Sequence, residues 1–341
     1  MNPEPADWLL RGLATVAFSA LLCALLIIVL RPLLERYALA KPNARSSHKN
    51  PTPQGGGIAV VTAVIVASYG AIHFTAPAAT AGPLLSVFAA AILIACLGAA
   101  DDIRSIEVAP RLLLQALAVA LVVYTLPREL HIVPLLPWWI ERVLLLIGGL
   151  WFVNLVNFMD GLDWMTVAEI VPITAALAVI GGLGVLPPQA TAVALSLCGA
   201  MIGFAYFNRP VARLFLGDVG SLPIGLLVGW LLLLLAARGH LAAAIVLPLY
   251  YLADATITLL RRLFRGAPIW QAHRSHFYQL ATDRGFTITE VVVRVFVVNV
   301  GLAALALFTV AMPAILSRTT ALVAGPALVA GLLTAFARGR K

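Results

Sequence analysis

Two adjacent carboxylates, Asp101 and Asp102, close an apolar run that ends Leu97, Gly98, Ala99, Ala100. Side by side at the edge of hydrocarbon they repel and raise each other's pKa unless a cation sits nearby. Alone, such a pair reads first as a solvated helix end, because short motifs match by chance. Asn154 and Asn157, three apart, share one face of a helix, and Asp160 and Asp163 extend that stripe into a turn at Gly161. Amides and acids together suit a base, a ribose or a metal-bound phosphate; interhelical hydrogen bonding is the competing use. Asp218 stands between Gly217 and Gly220, after Phe215. Glycine lets backbone approach a phosphate, Asp is a hard oxygen ligand for Mg²⁺, and Phe215 suits stacking on a base. A tight turn capped by Asp explains the same residues. His273, Arg274 and His276 fall within four residues and suit a polyphosphate, though a basic loop needs no ligand. The stretch from Arg45 through His48 to Gly55, Gly56 and Gly57 has glycines able to cradle phosphate, but Gly and Pro also punctuate ordinary loops.

The elements that must carry these groups are membrane helices. Of 341 residues 62% are hydrophobic and only 11% charged, against about a quarter charged in a soluble domain. The apolar residues come in runs near the roughly 20 needed to cross a bilayer. The expected fold is an all-α polytopic membrane protein, a single integral-membrane domain over 1–341. Its eleven spans fall at 8–30, 57–76, 83–100, 112–126, 138–156, 166–181, 189–207, 219–237, 241–260, 289–311 and 319–337. The first span, with no small-residue cleavage site behind it, reads as a retained helix and not as a signal peptide.

Lys and Arg are retained on the cytoplasmic side. Of 23 such residues, 17 fall on one set of alternate loops, among them Arg31, Arg104, Arg209, Arg261 and Arg338. The opposite set holds Arg11, Arg128, Arg142, Arg238 and Arg318. This puts the N-terminus in the periplasm and the C-terminus in the cytoplasm. The cytoplasmic loops are then about 31–56, 101–111, 157–165, 208–218 and 261–288. A net charge of +8 is explained by this orientation and by anionic lipid, with no nucleic acid as partner. Cys23, Cys96 and Cys198 each lie alone in an apolar run, unlike a zinc or disulfide framework.

Asp101, Asp102, Asp160, Asp163, Asp218, Asp254 and Asp283 all map to that cytoplasmic face. Ionisable groups at membrane depth are costly and mark function. A transporter or flippase also keeps such acids, but near the midplane on broken helices. Acids gathered at one face beside Gly-rich and His-containing loops favour chemistry at the lipid–water boundary.

Taken together and in this order, the segments from about Arg45 to Gln279 resemble the polyprenyl-phosphate N-acetylhexosamine-1-phosphate transferases, the superfamily of MraY and WecA. Asp254 followed by Arg261, Arg262 and the His273 to Gln279 loop looks most like the WbpL-type branch. The resemblance implies an enzyme of the bacterial inner membrane that uses Mg²⁺, or Mn²⁺ in its place. It implies UDP-N-acetylhexosamine as donor, undecaprenyl phosphate as acceptor, UMP as product, a role in starting O-antigen or other surface glycans, and the option of a homodimer. By the same resemblance Asp101 and Asp102 are the paired catalytic aspartates and Asp218 the metal ligand. His273, Arg274 and His276 act in the late catalytic loop. Asn154, Asn157, Asp160, Asp163, Asn208, Phe215, Arg111 and His48 bind substrate. Two departures, Ser105 and a His-Arg-Ser-His stretch where MraY has three histidines, argue against the muramoyl-pentapeptide donor, which stays as the runner-up.

Overall fold

A computed structural model of the chain describes residues 5–40, 51–73, 82–126, 131–133, 135–267 and 273–340. His48, with Arg45 and Lys49 beside it, lies outside the described residues. The architecture is all-α. In chain order the helices are α1 (Pro5–Tyr37), α2 (Gly56–His73), α3 (Gly82–Ile103), α4 (Val108–Thr125), α5 (Trp138–Met159), α6 (Met165–Gly182), α7 (Pro188–Ala205), α8 (Asp218–Leu235), α9 (Leu241–Val246), α10 (Leu249–Phe264), α11 (Phe277–Asp283), α12 (Ile288–Ala311) and α13 (Ile315–Arg338). A two-residue ribbon pairs Leu39 with Pro53 and Ala40 with Thr52.

Among the described residues ten helices are long and apolar enough to cross a membrane. Ten of the eleven expected spans each overlap one of these ten, and the stretch that matches 219–237 runs on from α8 into α9. The span expected at 241–260 is broken. Pro248 lacks the N–H that would continue α9, and its ring crowds the preceding turn, so the chain restarts as the 16-residue α10. Gly239, at φ 85°, swings the chain out of α8 toward α9. The long late loop also holds a helix that apolar periodicity did not reveal, the seven-residue α11.

α8 is the axis of the bundle. It packs on α3, α5 and α2, while α1 wraps the outside against α7 and α2. The apolar window of the stretch formed by α8 and α9 is 83% buried and that of α1 only 17%. Van der Waals packing holds helices together in lipid, so small residues gather where backbones cross. At the α2–α8 crossing a Cβ added to Gly57 would lie 2.1 Å from the Cα of Gly220. No side chain can move to relieve that, because the obstacle is backbone.

This contact yields a matched pair of substitutions within α2. Gly57→Ala should destabilise the protein by about 1–3 kcal/mol, the range for overpacking, seen as a lower thermal midpoint in detergent. Gly70→Ala meets nothing within 4 Å and should leave the midpoint in place.

Candidate active site

The site assembles where α3 ends and α8 begins. A helix start leaves its first N–H groups without partners. Here Asp102, from the other helix, accepts from the backbone N–H of Asp218 at 3.0 Å and of Val219 at 3.1 Å. Gly98 makes the meeting possible. A Cβ there would stand 2.3 Å from the Asp218 carbonyl oxygen. Gln54 donates to the Asp102 carbonyl at 2.9 Å and so draws the loop before α2 onto the same point. That loop runs alongside residues 214–217: Gly56 and Gly57 donate their N–H groups to Phe215 and Leu216. These amides are spent on backbone and do not cradle a phosphate.

Asp101 turns the other way. Its carboxylate accepts from Arg111 at 3.0 Å and from the Ile106 N–H at 2.6 Å. Arg111, expected in a loop, sits in the first turn of α4 and serves as this ion-pair partner. From α5, Asn157 donates to Asp218 Oδ1 at 2.7 Å and to Ser221 Oγ at 2.9 Å. Asp160 caps the end of α5 and accepts from Thr166 Oγ1 at 2.5 Å. Burial pushes the Asp160 carboxyl up to about 7; the Thr166 hydrogen bond opposes this, and the charges of Asp102 and Asp163 add to it.

The residues expected at the site divide into two sets. Asp101, Asp102, Asn157, Asp160, Phe215 and Asp218 are half-exposed and gather about the start of α8. Asn154, Asp163, Asn208 and His276 are buried and work as scaffold. Asn154 faces α4 and bonds Gln115 at 2.7 Å. Asp163 accepts from the Ala212 N–H at 3.0 Å. Asn208 spends its oxygen on the Trp164 N–H at 2.8 Å and its amide on the Leu214 carbonyl at 2.9 Å, which locks the 160–164 turn to the 206–217 loop. Asn154, Asp163 and Asn208 thus each spend polar atoms on bonds within the protein. In the late loop His273 and Arg274 stay half-exposed, and Arg274 pairs with Asp283 at 3.1 Å.

Sequence reasoning placed Asp254 on the cytoplasmic face but gave it no role at the site. It is 0% exposed and accepts from the N–H groups of Phe277 at 2.9 Å and Tyr278 at 3.2 Å, which start α11. The available signal was an acid inside an apolar helix, but nothing in the chain order said what it faced.

The donor set suits a hard cation. Asp218 lies near enough to Asp102 and Asp101 to feel the charge of both, and carboxylates grouped in this way are relieved by a proton or a cation. Among the described residues no three His, Cys, Asp or Glu side chains enclose an ion. Mg²⁺ commonly takes only one or two carboxylates and completes its shell with phosphate oxygens and water. Next to the half-exposed cluster an apolar cleft of about 330 Å³ runs between α4, α5, α8, α9 and α10. Val153 and Gly225, which line it, lie one helical turn from Asn157 and Ser221.

Residues 84–236 match the family model described as glycosyl transferase family 4. A Bacillus subtilis (strain 168) protein described as a "Probable undecaprenyl-phosphate N-acetylglucosaminyl 1-phosphate transferase" is 26% identical over 281 residues, 77% of this chain and 75% of that protein. The phospho-N-acetylmuramoyl-pentapeptide-transferase of Mycobacterium leprae (strain TN) is 31% identical over 192 residues, 49% of this chain and half of its own.

The Asp160 environment sets a pH dependence. Its carboxyl, raised in the fold, is protonated where the unfolded chain has already ionised. Its contribution to stability is whole below about pH 4 and is lost as pH rises through about 7. Asp160→Asn keeps the acceptor for Thr166 and never ionises. In chelator, its thermal midpoint should match wild type at pH 4 and exceed it by a growing margin up to pH 8. An equal difference at both pH values would show that the charge is not penalised there.

Proposed function

As a member of the polyprenyl-phosphate hexosamine-1-phosphate transferase superfamily the chain is an enzyme of sugar-1-phosphate transfer, and we propose that it carries N-acetylhexosamine-1-phosphate from a UDP-sugar to undecaprenyl phosphate. The observation that carries this reading is the half-exposed cluster of Asp101, Asp102, Asn157, Asp160 and Asp218, about one helical turn from an apolar cleft. Acids poised to share a cation with a pyrophosphate stand beside a slot suited to an isoprenoid tail. In this reading the cluster faces the cytoplasm, the protein resides in the bacterial inner membrane, and the product starts a surface polysaccharide.

The reaction is a phosphoryl transfer, in which a protein mainly positions reactants and neutralises charge. An oxygen of the lipid phosphate attacks the phosphorus next to the sugar. A P–O bond forms there as the bond to the bridging oxygen breaks, and UMP leaves with the electron pair. Mg²⁺, or Mn²⁺, when held by Asp218 and Asp101, supplies charge neutralisation across the pyrophosphate. Asp102 is committed to the start of α8, so its part is to hold Asp218 in place. Asn157 orients Asp218 through its amide. Asp160 and Phe215 line the nucleotide side, and His273 with Arg274 offers donors to the phosphates. The attacking phosphate, with a second pKa near 6, is already ionised at neutral pH and needs no strong base.

Purified protein given undecaprenyl phosphate, Mg²⁺ and a panel of UDP-N-acetylhexosamines should release UMP only with lipid and metal both present. UDP-N-acetylmuramoyl-pentapeptide belongs in the panel, because turnover of that donor alone would assign the muramoyl reaction instead. Asp218→Ala should lower kcat by about a hundredfold to a thousandfold, the scale for losing one preorganised electrostatic partner. UMP release that ignores lipid, or survives Asp218→Ala intact, would overturn the assignment.

A further inference from the structure

Asp254 on α10 lies outside the half-exposed cluster, yet it gathers more donors than any acid in it. Besides the Phe277 and Tyr278 N–H groups it accepts from Tyr250 Oη at 3.2 Å and Thr258 Oγ1 at 3.3 Å. His276 Nδ1 stands 3.4 Å from its Oδ1. Among the described residues no Lys or Arg pairs with it, so these donors and the His276 ring are what compensate a fully buried acid. His276 is itself buried, with its ring stacked on Tyr278 at 5.7 Å and 5.0 Å from the ring of His273. Tyr278 reaches the far side: its Oη donates to the Phe158 carbonyl at 3.1 Å, at the end of α5. The fit is close there, since a Cβ on Gly161 would lie 2.1 Å from that oxygen.

A continuous path therefore runs from α10 through Asp254, the start of α11 and Tyr278 to the turn that bears Asp160. We propose that Asp254 is a positioning residue for the transferase reaction: it clamps the His273 to Tyr278 segment onto the Asp160 turn, so that His273 and Arg274 face the cluster. In this assignment His276 is a support and His273 the group that meets substrate. The proposal rests on the transfer reaction proposed above.

Asp254→Asn removes acceptors from one oxygen and sets an NH₂ group against donors, of which the backbone N–H groups cannot rotate away. Tyr278→Phe leaves that cap intact and cuts only the link to Phe158, so it serves even if the first variant fails to fold. For each purified variant three readouts are needed: UMP release as kcat and donor KM, thermal midpoint, and hydrogen exchange of residues 276–283. Misplacing a contacting group by about 1 Å can cost about a hundredfold in rate. Asp254→Asn should lose about ten- to a hundredfold in kcat and Tyr278→Phe about tenfold. Donor KM should stay within about threefold, the Tyr278→Phe midpoint should hold, and exchange should quicken across 276–283 in both. An active wild type with kcat unchanged in folded variants overturns the positioning role alone. A wild type that releases no UMP overturns the transfer reading, and the positioning role falls with it.

Discussion

Every helix that starts at or within a bilayer presents N–H groups that hydrocarbon cannot satisfy. This chain answers repeatedly with a carboxylate borrowed from a different helix. Asp102 of α3 serves the first turn of α8, and Asp254 of α10 serves the first turn of α11. Glu169 of α6 joins two helices in another way, accepting from the Asn299 amide of α12 at 2.6 Å. A cap taken from within the same helix fixes only that helix. A cap taken from another fixes the angle and depth of two, and a lost partner leaves buried donors unpaired at about 1–3 kcal/mol each.

The class of protein and the neighbourhood of the site were legible in the chain order because charges in this sequence are few. Asp101, Asp102, Asp160 and Asp218 stand out against apolar runs, and the structure brings them together. What spacing cannot show is what lies opposite. Asn154 and Asn157 share a helix face, yet one faces Gln115 in a helix contact and the other Asp218 in the cluster. Their difference is one helical turn of depth, which periodicity does not encode. His273 and His276 part in the same way, since a seven-residue helix with no apolar stripe decides which is buried. The ninth span misled because hydropathy averages across a proline.

The two sets of polar residues have different mechanical duties. Half-exposed groups gather about the start of α8, and behind them Asp163, Asn208 and Trp164 form a rigid collar across two loops. Trp164, at φ 64°, holds a left-handed conformation rare for a bulky residue, and its ring nitrogen donates to the Ala205 carbonyl at 2.6 Å. Backbone of that kind persists where its surroundings over-determine it. The collar keeps Asp160 at a set distance from Asp218 without either touching the other.

The cap on α8 has one further effect. A helix N-terminus carries the positive end of a macrodipole and is often where a protein binds an anion. In α8 that end is already met by Asp102, so in the proposed reaction the helix itself would lend a phosphate little positive potential. In the proposed reaction, anion and counter-cation would then each help to create the other's binding site. Thermodynamic linkage makes the help reciprocal: whatever factor the cation adds to nucleotide affinity, the nucleotide returns to the cation. Under that proposal the two would enter the site as a pair.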